Sequence, residues 1–235
     1  MSSFQRLISN VSWSVFGKIC TQIILFAVSV IITRYLGKDD LGVYAALLVI
    51  PNFVCLLNSM GIETLVNKHL PELNAIDASG NLGRCLLKRL LVFRLTTAAI
   101  LCTSLYLVFP YYIEFINKQE LFQYRIIILI YFLVLTTNSF LSTLFMTQLR
   151  YKLISITETT SVAVNLVLLV LFVTMDLGII GVLYAYVFST AITILVYAWL
   201  SRPHFIGKAE TVDWGEMKPL ALTSYGMSLF SFGLM

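Results

Sequence analysis

Charge is scarce in this sequence. Only 12% of its 235 residues are Asp, Glu, Lys or Arg, about half the share of an ordinary soluble domain. The net charge is +4, and the basic residues are scattered, which excludes a nucleic-acid-binding surface. Histidine appears twice, as His69 and His204, far apart. There is no HExxH, no CxxC and no glycine-rich phosphate loop. Zinc hydrolysis, dithiol redox chemistry and nucleotide binding therefore lack their residues, and neither a metal nor a cofactor is expected. Cys20, Cys55, Cys85 and Cys102 lie in or beside apolar runs. They read as small core hydrophobes with no disulfide framework. Asp39–Asp40 is one acidic pair, and Glu63, Glu72 and Asp77 are too dispersed for a magnesium cluster. An enzyme is not expected. A channel has little support either, because no short re-entrant segment falls between the apolar runs.

Apolar residues are abundant. They make up 59% of the chain, and the mean hydropathy is +0.89. A bilayer span needs about 20 mostly apolar residues. Six such runs can be read, at Val11–Thr33, Leu41–Gly61, Leu90–Phe109 (stopped by Pro110), Ile126–Met146, Ile156–Met175 and Ile179–Leu200. The last two are joined by a tight turn at Asp176, Leu177 and Gly178. A seventh run starts at Leu220 and is still apolar at Met235. The expectation is an all-α, polytopic transmembrane bundle of six complete spans plus the start of a seventh. The first run is too long for a signal-peptide core and lacks a small-x-small exit, so it reads as a permanent span.

Loop lysines and arginines set membrane orientation. With the N-terminus inside, ten fall on inner segments: Arg6, Lys68, Arg84, Lys88, Arg89, Arg150, Lys152, Arg202, Lys208 and Lys218. Four fall outside: Arg34, Lys38, Lys118 and Arg125. This bias predicts a cytoplasmic N-terminus in the inner membrane. Tyr35, Tyr44, Tyr111, Tyr112 and Trp199 near span ends fit headgroup positions.

Lys18, Arg94 and Glu158 sit at membrane depth, where a charge costs about 2.5–3.5 kcal/mol at mid-span. On the first span Ser14, Lys18, Gln22, Ser29 and Thr33 fall on one helical stripe. Such a stripe should face protein or water rather than lipid. Shorter stripes hold Glu158, Ser161 and Asn165 on the fifth span, and Tyr186, Thr190, Thr193 and Tyr197 on the sixth. The third carries Arg94, Thr97 and Ser104. Two readings stay open. Ser and Thr often pack helices together in membranes, whereas Lys18 with Gln22 points to a solvated interior. Arg94 and Glu158 mark the cytoplasmic headgroup level, pair with each other, or face the same interior. Pro51 removes a backbone hydrogen bond in the second span, giving either a hinge or a static kink beside Asn52.

Some of these residues form a familiar order. Trp13 and Gly17-Lys18 precede Arg34-Tyr35-Leu36-Gly37 and Leu41-Gly42-Val43-Tyr44-Ala45, followed by Gly61-Ile62-Glu63 and Leu70-Pro71-Glu72. The order resembles the N-terminal lobe of bacterial polysaccharide and O-antigen flippases, within the superfamily of multidrug, oligosaccharidyl-lipid and polysaccharide exporters. The resemblance implies two six-helix lobes around a central cavity. It implies flipping of a polyprenyl-pyrophosphate-linked oligosaccharide by alternating access, with polymerase and chain-length proteins of the same pathway as partners. By that analogy Lys18, Gln22 and Arg94 are cavity candidates for substrate, Glu158 is the candidate for a coupling ion, and Pro51 is a hinge candidate. Residues 1–200 would be the first lobe, 201–218 a cytoplasmic linker and 219–235 the start of a second lobe, so truncation of a longer protein is expected. A multidrug exporter and a membrane enzyme of glycan assembly are the alternatives. The Lys18 and Arg94 cations disfavour cationic drugs as cargo, and the enzyme lacks a catalytic His or carboxylate pair.

Overall fold

The computed structural model describes residues 3–59, 62–77, 80–116, 119–148 and 150–205. They form α1 (Ser3–Tyr35), α2 (Lys38–Ser59), α3 (Ile62–Ile76), α4 (Asn81–Ile116), α5 (Arg125–Thr147), α6 (Tyr151–Thr174) and α7 (Gly178–Phe205). A 3-10 segment, Gln119–Tyr124, precedes α5. Among the described residues there is no strand, and six helices are long and apolar enough to cross a membrane. The reason is elementary. Lipid offers no partner to a backbone amide, so a spanning segment must close its own hydrogen bonds. This is an all-α multi-pass membrane protein. Most of the expected linker and the seventh run lie outside the described residues, although α7 continues past Leu200 to Phe205.

Two expectations need correction. The segment after the second span is not a loop, because α3 occupies it. Ile62, Leu65, Val66 and Leu70 are buried at helical spacing, while Thr64, Asn67, Lys68 and Glu72 are exposed. Its 15 residues reach only about 22 Å, short of a roughly 30 Å core. It packs instead against α4 and α5. Nor does the third span stop at Pro110. α4 runs for 36 residues through that proline, about 54 Å. Pro110 and Tyr106 are exposed. The Tyr106 carbonyl that loses its helical donor therefore lies on the open side of the helix.

Pro51 sits inside an unbroken α2 and is buried. Nearby, the Asn52 amide donates to the Leu48 carbonyl at 2.8 Å. Asp39 and Asp40 occupy the first turn of α2, where carboxylates favour the helix dipole.

In space α1 packs mainly along α6, α6 along α7, α7 along α5 and α5 along α2. The α6–α7 turn is tight, with Asp176 at φ 53° and Gly178 at φ 60°. Tyr35, the last residue of α1, holds it. Its hydroxyl donates to Asp176 Oδ1 at 3.1 Å and accepts the Gly178 amide at 2.8 Å. The ends of α1 and α6 are thereby fixed level with each other.

Candidate functional site

The α1–α6 contact is built from small residues. A Cβ on Gly17 would lie 2.5 Å from Ser155 Cβ, so only glycine allows this approach. Close backbones bring hydroxyls into reach, as is common for helix pairs in membranes. Ser155 Oγ donates to the Trp13 carbonyl at 3.0 Å, Thr159 Oγ1 to the Gly17 carbonyl at 3.4 Å, and the Thr21 and Thr159 hydroxyls share a bond at 3.1 Å. At the same end Lys152 Nζ lies 4.7 Å from the centre of the Trp13 ring.

This contact brings Lys18 within electrostatic reach of Glu158. Both are exposed on the described lobe, and so is Gln22 one turn along α1. Ser29 and Thr33 continue the exposed polar line towards Tyr35. Two opposite charges and an amide thus share one open face within spanning helices.

Arg94 is elsewhere. It is 1% exposed, inside the lobe among α2, α3, α4 and α5. Its Nη2 lies 3.6 Å from Glu63 Oε1, so its acidic partner is Glu63 rather than Glu158. Glu63 also accepts a hydrogen bond from Ser139 Oγ. Beside them Thr97 Oγ1 bonds Asn58 Oδ1 at 2.7 Å, and Thr136 Oγ1 lies 3.8 Å from Cys55 Sγ. The residues read from sequence therefore separate into an open group (Lys18, Gln22, Glu158) and an internal one (Arg94). In the sequence Glu63 is too far from other carboxylates to form an acidic cluster. Its signal was its place on the first turn of an amphipathic helix, with Ile62, Leu65 and Val66 around it. His69 also lies on α3, where its Nδ1 is 2.8 Å from Glu72 Oε2.

Three comparisons bear on this geometry. A family described as polysaccharide biosynthesis protein matches residues 7–234. A comparison with curated proteins gives no match. Among solved structures the chain is similar to a mutant of the Vibrio cholerae MATE transporter VcmN, with 17% identity and a TM-score of 0.69. That similarity covers 94% of this chain and 51% of the transporter, so the chain spans about half the length of that protein.

Proposed function

Since the chain belongs to the polysaccharide biosynthesis protein family, we propose that it forms the N-terminal lobe of a carrier that flips lipid-linked oligosaccharide repeat units across the cytoplasmic membrane. One observation carries this reading. Lys18, Gln22 and Glu158 stand together on an open face of spanning helices. Lipid cannot satisfy such groups, so that face belongs against a polar interior. A transporter fold, similar to VcmN over most of this chain, supplies such an interior between two lobes. Lys18 is the group that meets anionic phosphate there, since a cation in a poorly solvated site attracts phosphate strongly. Pro51 is the hinge candidate and Glu158 the coupling carboxylate. The excess of basic residues on alternate segments supports a cytoplasmic N-terminus.

The alternative cargo is a cationic drug, carried by a multidrug exporter of the same superfamily. Lys18 disfavours it by charge. The test is surface glycan in cells that depend on this protein. Lys18→Ala should abolish export with the protein still inserted, and Lys18→Arg should restore most of it. Normal glycan in Lys18→Ala cells would remove Lys18 from the cargo path.

A further inference from the structure

The hidden face of α7 carries a polar row. Tyr186, Ser189, Thr193, Tyr197 and Ser201 follow at intervals of three, four, four and four, which is one side of a helix. The last four are buried and Tyr186 is half-buried. The row extends about 22 Å of a core roughly 30 Å thick. A purely apolar interior would pack this face with leucine and valine.

The α6 stripe meets this row. Asn165 Nδ2 donates to Ser189 Oγ at 3.2 Å. The two helices are antiparallel neighbours across a tight turn, so one helical turn further on Ser161 comes level with Thr193. Near the next turn Glu158 comes level with Tyr197, and the two interact electrostatically. The charged and titratable groups acting on Glu158 are thus Lys18 from α1 and Tyr197 from α7. At the other end, Tyr44 lies within electrostatic reach of Tyr186. Tyr131 packs edge-on against Tyr186, with ring centres 6.3 Å apart.

Two buried polar atoms on these helices do not close, one of them on Tyr197, whose ring stacks on Phe145 of α5 with centres 5.1 Å apart. Asn165 Oδ1 and Tyr197 Oη have no hydrogen-bond partner among the described residues, and their residues are 4% and 0% exposed. Buried polar atoms left unfilled are costly, and ordered water with two to four polar partners is the usual remedy. By helical register Ser161 and Thr193 fall between them; the Thr193 hydroxyl donates to the Ser189 carbonyl at 3.0 Å, which leaves its oxygen free to accept from water.

We propose that the α6–α7 seam holds a file of ordered water between Asn165 and Tyr197, and that this file conducts protons to and from Glu158. The inference deepens the reading of the chain as part of a carrier and rests on it for its use. The step is a proton transfer only. An O–H bond of the terminal water breaks as one forms on the Glu158 carboxylate, and the next water replaces the proton. Nothing is oxidised or reduced.

The test uses the full-length protein in proteoliposomes. X-ray hydroxyl-radical footprinting modifies buried aromatic rings where water touches them. Tyr197 should label within milliseconds, while Phe132, equally buried on α5, should not. A Tyr197 as unreactive as Phe132 overturns the water file. Proton uptake followed by an internal pH dye should then fall roughly fivefold in Tyr197→Phe, the scale of one hydrogen bond, and further in Glu158→Gln. In a dry seam, losing the unpartnered hydroxyl would leave uptake unchanged, and that result overturns the proton route even if Tyr197 labels. Failure of the carrier reading shows differently, as normal surface glycan in Lys18→Ala and Glu158→Gln cells with the footprint intact.

Discussion

Inside the lobe the Arg94 guanidinium lies 3.6 Å from the Glu63 carboxylate, joining the start of α3 to the middle of α4. The arginine is 1% exposed and the glutamate 34%. The two ends therefore differ in what their loss leaves behind. Without Glu63 a cation is stranded in the interior, whereas without Arg94 a carboxylate still reaches Ser139 and solvent.

That asymmetry is measurable. Glu63→Ala should destabilise the protein by about 3 kcal/mol, the lower end for breaking a buried pair. Glu63→Gln combined with Arg94→Leu should recover most of the loss. Thermal unfolding of purified protein in detergent checks it. Equal loss in the single and double variants would mean that the pair is not what joins α3 to α4.

Gly17 predicts a steric effect. A methyl group there meets Ser155 Cβ at 2.5 Å and Ser155 Cα at 3.2 Å, so α6 must shift. Gly17→Ala should cost about 1–3 kcal/mol, the usual price of overpacking. Ser155→Gly in the same chain should restore much of it. A disulfide between cysteines placed at Thr21 and Thr159, whose hydroxyls are 3.1 Å apart, reports whether the helices still meet.

Tyr35→Phe removes two hydrogen bonds at the α6–α7 turn while keeping the ring. The expected loss is about 1–2 kcal/mol. Hydrogen exchange should speed at the Gly178 amide, which loses its acceptor. Exchange unchanged at Gly178 would show that the turn holds itself.

Lys18→Glu places a second carboxylate beside Glu158 and should stop export. Adding Glu158→Lys should return part of it, because the pair is then reversed rather than removed. Surface glycan and protein level, measured together, separate lost transport from lost insertion.

The spans were legible because apolar runs of that length have few other uses. Observed helices such as Arg125–Thr147 and Tyr151–Thr174 differ from the apolar runs by a few residues at each end. α3 was not legible as a helix. It is too short to span, and Lys68, His69 and Glu72 give it the composition of a loop. Its period, at Ile62, Leu65, Val66 and Leu70, was the signal that length-based reading passes over. α4 overran its apolar run because a helix can continue into water, where its N-terminal extension carries Arg84, Lys88 and Arg89. At the candidate site, spacing along one helix grouped Lys18 with Gln22. No spacing could say that Arg94 turns inward to Glu63, since that depends on how α3 folds back over α4 and α5.

The α1–α6 contact also has a consequence for synthesis. Thr21 and its partner Thr159 are 138 residues apart in the chain. At about 5–20 residues per second, α1 waits roughly 7–28 seconds in the membrane before α6 emerges. During that interval Gly17, Lys18 and Thr21 have no helix to meet. The first helix made is among the last to find its neighbour, so the early nascent chain depends on the insertion machinery to shelter its polar side.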